Sequence, residues 1–249
     1  MNPIDPACSP LPENAGWDFF DRIYCISLST RPDRRRQAQA QFDAVGLGDR
    51  VRFFLAAPHP TNSEQGIYAS HLASLSQGLS EGAETILIFE DDVVFQGFSK
   101  DRLRNAIAFL TRRPWQAFFL GCLMRRAKKT DDPSVIAVQY QALTHAYAVT
   151  RSFALQITRK PWQGIPYDAM LARFDSAGFF AACPGIAFQG DATSDNARLK
   201  RLDRIRRCCG GLIRIQKANQ WLCLNTRLLL AIHLGIPAAV MIVLLFLYR

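Results

Sequence analysis

"TILIFEDDVVF", residues Thr85 to Phe95, runs a short apolar stretch straight into three consecutive carboxylates. An apolar run bounded at once by charge is the pattern of a central strand covered on both faces, with its C-terminal end open to solvent. Working outward, "IYCISL" (Ile23 to Leu28) reads as another strand. Ser29 or Thr30 is then placed to cap a helix entered through Pro32 and ended at Gly46. Val51 to Leu55 reads as a second short strand, leading into a helix whose Tyr68, Leu72, Leu75 and Leu79 form one apolar stripe. "WQAFFLG" (Trp115 to Gly121) is a further buried strand, with its aromatics in the core. Strands alternating with helices in this way predict an α/β fold around a mostly parallel, mixed sheet covered on both faces.

That topology gives the acids a place. In open α/β sheets ligands bind beyond the carboxyl ends of the strands, where Glu90, Asp91 and Asp92 emerge. Three adjacent carboxylates repel one another at neutral pH, and a hard divalent cation with oxygen ligands relieves the repulsion. In extended backbone, residues two apart point the same way, so Glu90 and Asp92 are expected to share a ligand face while Asp91 turns aside. By itself the triplet reads equally as a solvated acidic turn.

At 249 residues, 49% hydrophobic and 20% charged, the chain is ordinary for one globular α/β domain. Leu228 to Tyr248, "LLLAIHLGIPAAVMIVLLFLY", carries no formal charge apart from that of His233. As a helix it reaches roughly 30 Å, the thickness of a bilayer's hydrocarbon core, so a transmembrane helix is expected there, serving as a tail anchor with only Arg249 beyond it. Arg198, Lys200, Arg201, Arg204, Arg206, Arg207, Arg214 and Lys217, against the single acid Asp203, precede the span. Basic flanks favour the cytoplasmic side and attract anionic head groups, so the body of the protein is expected in the cytoplasm, at a bacterial inner membrane. The segment lacks the interleaved aromatics of a nucleic-acid binder, and no nucleic acid is expected as a partner. "MNPIDPACSPLPENAG" has neither the basic nor the apolar region of a secretory signal. Seven cysteines without metal-type spacing fit reduced thiols, and Cys208 and Cys209 lie where acylation is feasible. The expected organisation is a flexible arm over 1–16, a catalytic domain over 17–197, a basic juxtamembrane segment over 198–227 and a membrane helix over 228–248.

Six stretches in order, "IYCISLSTRPDRR", "GIYASHLASL", "LIFEDDVVF", "THAYAVTRSFA", "IPYDAML" and "PGIAFQGDATSDN", together resemble glycosyltransferase family 25, over roughly Arg22 to Asn196. The family's opening motif is matched by Ile26, Leu28, Arg31, Asp33 and Arg34, with Ser27 where Asn is usual. Gly66, Ser70 and His71 match its Ser-His segment, with Ile67 where Cys is common. Glu90, Asp91 and Asp92 match its E-D-D, Tyr147 its late-strand Tyr, Pro166 and Asp168 its P-x-D, and Gln189, Ser194 and Asp195 its terminal Gln and Ser-Asp pair.

The resemblance implies a GT-A-like fold and transfer of a sugar, often galactose, from a nucleoside-diphosphate donor such as UDP-galactose to a hydroxyl of a saccharide or lipid-linked saccharide, with inversion, as in lipopolysaccharide synthesis. It implies a divalent cofactor, Mn2+ or Mg2+, on Glu90, Asp91 and Asp92. It also implies donor binding by Ser70, His71, Tyr147, Gln189 and Ser194. Arg31 and Arg34, at the start of the first helix, are placed to meet a diphosphate. Inversion needs a base within hydrogen-bond reach of the acceptor hydroxyl, for which Asp168 is the first candidate and Asp195 the second. His71, inside an amphipathic helix, is expected to orient or support rather than to titrate. His145 reads as a core histidine, and His59 and His233 have no catalytic case. Trp162 is the candidate acceptor wall, and "MRRAKKTDD" (Met124 to Asp132) reads as a solvated, mobile loop, or as a contact for a phosphate-bearing acceptor or a membrane surface. The competing reading is a catalytically weak, membrane-tethered module that binds a nucleotide or glycan.

Overall fold

The structure is a computed structural model that describes residues 16–190 and 210–226. The expected transmembrane helix, Ser194, Asp195, Cys208, Cys209, His233 and most of the N-terminal arm lie outside the described residues. Among the described residues no helix is long and apolar enough to cross a membrane.

Among the described residues, ten strands and six α-helices follow one another in an order close to that expected. They are β1 (Arg22–Leu28), α1 (Pro32–Ala44), β2 (Val51–Ala56), α2 (Ser63–Ser80), β3 (Thr85–Glu90), β4 (Val93–Phe95), α3 (Lys100–Thr111) and β5 (Ala117–Phe119). Then come β6 (Leu123–Lys129), β7 (Val135–Ala142), β8 (Ala146–Thr150), α4 (Arg151–Thr158), α5 (Tyr167–Leu171), β9 (Phe179–Ala182), β10 (Ala187–Gln189) and α6 (Leu212–Leu224). Eight strands form one sheet in the order β2-β1-β3-β8-β5-β9-β7-β6, and β4 pairs with β10 as a small antiparallel ribbon.

The sheet is mixed, not mostly parallel. β1 runs parallel to β2 and β3, and β5 to β9, but β3–β8, β5–β8, β7–β9 and β6–β7 are antiparallel. The sequence signal was dominated by the N-terminal β-α-β-α-β run, where helical crossovers enforce parallel pairing. Beyond β4 the chain returns through β8, and β6 and β7 follow one another with a short connection that allows antiparallel pairing.

Period-two alternation sends each strand's side chains into two cores. Leu87 and Phe89 of β3 join Ile23, Cys25, Phe42, Ile107 and Phe118 on one face, while Ile86 and Ile88 join Tyr24, Tyr68, Leu75, Phe119, Tyr147 and Phe153 on the other. That double burial is why "TILIF" has no polar side to show. Each fully buried aromatic or aliphatic side chain contributes roughly 1.5–3 kcal/mol, and these cores hold the end of β3 rigidly. Close packing at that end leaves no room for a side chain at Gly121, where a Cβ would sit 1.9 Å from the Ala187 carbonyl oxygen.

Local differences from the expectation have simple causes. Arg31, not Ser29 or Thr30, is the N-cap of α1, because Pro32 occupies the first turn and sets the entry directly behind it. "MRRAKK" is the edge strand β6 and not a loop. Its exposed charges hid the strand pattern, and a bulge near Arg125 breaks the pairing register with β7. Residues 212–224, expected in a basic segment outside the domain, form α6 packed on the domain. Asn219 bonds both the amide and the carbonyl of Met124, and Gln220 bonds Gly185 and Ala182.

Candidate active site

The carboxyl ends of the parallel strands β1 and β3 bring together α1, the acidic turn and β10. β3 ends at Glu90, so Asp91 and Asp92 form a turn before β4 and no longer follow strand alternation. Glu90 is committed to Thr144 and His71, so the expected Glu90–Asp92 pair does not stand as a free ligand face, although the two charges act on each other. Asp91 and Asp92 converge on Arg34, which places Nη1 at 3.1 Å from Asp91 Oδ1 and Nη2 at 3.9 Å from Asp92 Oδ2. Gln189 Nε2 donates to Asp92 Oδ2 at 3.0 Å, and the Gly190 amide donates to the Asp92 carbonyl at 2.8 Å. Asp92 Oδ1 is buried and has no hydrogen-bond partner among the described residues.

Burial and the neighbouring Glu90 charge push the Asp92 carboxyl up to about 7, against the lowering effects of Gln189 and Arg34. Asp91 is also raised, by burial first, with Ser27 and Arg34 opposing. The Ser at position 27, where the family resemblance had Asn, thus bears on the acidic pair itself.

Glu90 turns the other way. Its Oε1 accepts from Thr144 Oγ1 at 2.9 Å and faces His71 Nε2 at 3.5 Å. His71 Nδ1 meets the Tyr147 hydroxyl at 3.1 Å, Tyr147 meets the Tyr167 hydroxyl at 2.8 Å, and the His71 ring stacks on Tyr167 with centroids 4.2 Å apart. A carboxylate only accepts, so the proton of a neutral His71 sits on Nε2 and Nδ1 accepts from Tyr147, which in turn accepts from Tyr167. Burial tends to raise Glu90, but the His71 contact and Thr144 outweigh it and hold the carboxyl below its usual range. Burial raises both tyrosines. The network sets the His71 ring and two tyrosine hydroxyls against the buried Glu90 carboxylate.

Asp168, at the start of α5, accepts the Leu143 amide on Oδ2 at 3.3 Å. Leu143 has φ of 74°, an uncommon conformation for a branched residue, and the turn it makes delivers Thr144 to Glu90. Burial raises the Asp168 carboxyl, and Glu90 adds to the rise. Trp162 packs edge-on against Tyr68, with ring centroids 5.2 Å apart, and Tyr68 in turn touches Tyr167.

Other sequence candidates have structural employment. The Ser70 hydroxyl donates to the Gly66 carbonyl within α2 at 2.7 Å. Arg31 holds Asp33 through two bonds, at 3.1 and 3.0 Å. His145 Nε2 meets the Ala187 carbonyl, and burial lowers its pKa, as suits a core histidine. His59 Nδ1 accepts the Thr61 and Asn62 amides ahead of the Asn62 cap on α2. Thr144, Tyr167 and Gln216 belong to the site yet were not singled out. Thr144 and Tyr167 lay inside the motifs quoted above, whereas Gln216, which bonds Gln189, had no signal in a basic segment.

Among the described residues, no three His, Cys, Asp or Glu side chains are gathered as a metal cage. The donor set fits a divalent ion through Asp92, whose Oδ1 is the orphaned buried oxygen, with Asp91 beside it and Glu90 committed elsewhere.

No family model matches the chain. Over about half its length the chain is distantly homologous to members of glycosyltransferase family 25. Inactive glycosyltransferase 25 family member 3 of Homo sapiens is 26% identical, over 52% of this chain and 27% of that protein. Procollagen galactosyltransferase 1 of Danio rerio is 21% identical, over 63% and 32%. The alignments span about a third or less of these relatives. Among solved structures, A197 from STIV aligns with a TM-score of 0.47 at 12% identity, covering 68% of this chain and 85% of that one. A glycosyltransferase involved in glycosylation of the major capsid of PBCV-1 aligns with a TM-score of 0.42 at 11% identity, over 66% and 82%.

Proposed function

We propose that this chain is a membrane-anchored glycosyltransferase of GT-A type. It moves a sugar, galactose in the first instance, from a UDP-sugar to a hydroxyl of a lipid-linked or lipopolysaccharide-type saccharide at the cytoplasmic face, with inversion. The observation that carries the reading is the meeting of Arg34, Asp91, Asp92 and Gln189 at the carboxyl ends of β1 and β3, in a chain distantly homologous to family 25. Arg31, at the N-cap of α1, is placed to take a diphosphate in exchange for its bonds to Asp33. A divalent ion held by Asp92 with Asp91 would supply Lewis-acid stabilisation of the departing nucleoside diphosphate. Arg34 keeps the two acids from repelling one another before substrate arrives. Asp168, raised by burial, is the candidate to take the acceptor proton, and Leu143 holds its other oxygen in place. The Glu90–His71–Tyr147–Tyr167 wedge fixes α5, and with it Asp168, against α2.

Two observations favour a second reading, a module that binds a nucleotide without turning it over. The human family member 3 noted above is named inactive, and Arg34 already occupies the acidic pair. Calorimetric titration of the detergent-solubilised chain with UDP, with Mn2+ and then with chelator, followed by a transfer assay with UDP-sugars, separates the two. Metal-dependent binding with transfer supports the enzyme. Binding without transfer to any acceptor supports the module, and no binding with UDP, GDP or CMP defeats both.

A further inference from the structure

The basic run "MRRAKK" and the helix that leads toward the apolar segment are far apart in sequence, yet the fold puts them side by side. β6 is the outer strand of the sheet, and α6 closes part of its open edge through the paired Asn219–Met124 bonds. Directly after Met124, Arg125, Arg126, Lys128 and Lys129 are exposed, and among the described residues none of them has an acidic partner. α6 packs its Leu212, Gln216, Asn219 and Gln220 inward, so Arg214, Ala218, Trp221 and Leu222 point out along one stripe. The stripe grows apolar toward its C-terminal end, where Trp221 is 54% and Leu222 46% exposed. Leu228, the first residue of the 21-residue apolar stretch, follows within four positions of Leu224.

We infer that α6 and the free edge of β6 form a docking face for an anionic lipid bilayer. The inference rests on the membrane reading proposed above and adds to it a surface of the folded domain. Cations on β6 meet the head groups electrostatically, and Trp221 with Leu222 enters the interface, where an aromatic ring with one polar atom is favoured. Charge on an edge strand also guards against strand-to-strand association, which accounts for the lysines but not for an exposed tryptophan and leucine beside them on the way to an apolar segment. The docked face is tied to the acids: Gln216 bonds the backbone of Gln189, whose side chain holds Asp92. Docking therefore fixes, through α6 and Gln189, how Asp92 is held relative to the lipid surface.

The test uses the full chain with vesicles of phosphatidylcholine alone or mixed with phosphatidylglycerol. Flotation, including after alkaline extraction, reads the anchor. Quenching of tryptophan emission by lipid brominated near the head group, with Trp221→Phe as the blank, and hydrogen exchange at residues 125–129 read the docking. With phosphatidylglycerol we expect quenching that the Trp221→Phe variant lacks, and exchange at 125–129 slowed about fivefold or more relative to neutral vesicles. A variant with Arg125, Arg126, Lys128 and Lys129 all changed to Gln should lose both while still floating. If the chain floats but Trp221 is unquenched, or exchange is the same in both lipids, the docking face is refuted and the anchor stands. Flotation with anionic vesicles that alkaline extraction reverses would keep the docking face and remove the anchor. No flotation with either lipid removes both.

Discussion

Asp92→Asn, studied in detergent with a chelator present, tests the electrostatics of the acidic turn. The Asp92 side chain is about 10% exposed, and among the described residues one of its oxygens lacks a partner and the nearest cation sits 3.9 Å away. Burial and Glu90 hold the carboxyl at about 7 instead of its ordinary 3.8. The unfolded chain therefore releases this proton first as pH rises, so stability is lost between about pH 4 and pH 7 and is flat above. Each tenfold in proton affinity is worth about 1.4 kcal/mol, which bounds the cost of ionised Asp92 at about 4 kcal/mol. Asn keeps an acceptor for Gln189 and gives up a distant attraction to Arg34, which remains paired with Asp91. The net expectation is a variant about 1–3 kcal/mol more stable than the parent at pH 8 and equal to it at pH 3. Urea denaturation followed by circular dichroism at both pH values reads the difference. A variant that is less stable at pH 8, or a difference that does not change with pH, would refute the assignment of Asp92 as a strained carboxylate. Mn2+ should stabilise the parent and leave the variant unmoved.

Two further expectations concern the scaffold. Tyr147→Phe removes the donor to buried His71 Nδ1 and should cost about 1–3 kcal/mol, whereas Tyr167→Phe leaves that bond intact and should cost less; equal losses in urea denaturation would reverse the assigned direction of the chain. Glu81, held down to about 2 by Gln77 and Arg22, gives stability that is present above its ordinary 4.5 and lost as pH falls toward 2. Glu81→Gln should flatten that part of the acid-unfolding profile, and an unchanged acid limb would show that the Arg22 pair contributes nothing.

Much of the first half of the fold was legible because each signal there is local. β1, α1, β2, α2 and β3 are written in periodicity, in Pro32, and in apolar runs that need no knowledge of partners. The acids were legible as a cluster, and so was their position at the end of a central strand. Their pairing was not, since one residue's difference in where β3 stops decides whether Asp92 faces with Glu90 or with Asp91. β6 escaped notice for a related reason. An edge strand can expose both faces, and the charges that protect it erase the alternation that would reveal it.

The sequence by itself determined that a buried strand ends in three carboxylates and that an apolar stretch follows a basic one. These are properties of composition and short-range order, and they survive without coordinates. Only the tertiary structure decided which acid meets Arg34, that Glu90 is tied to His71 and the two tyrosines, and that α6 joins the basic edge to Gln189. Each of those contacts joins residues separated by 19 to 97 positions along the chain. Their geometry depends on where strands stop and helices dock, which is settled by packing two cores around one sheet and not by any local pattern.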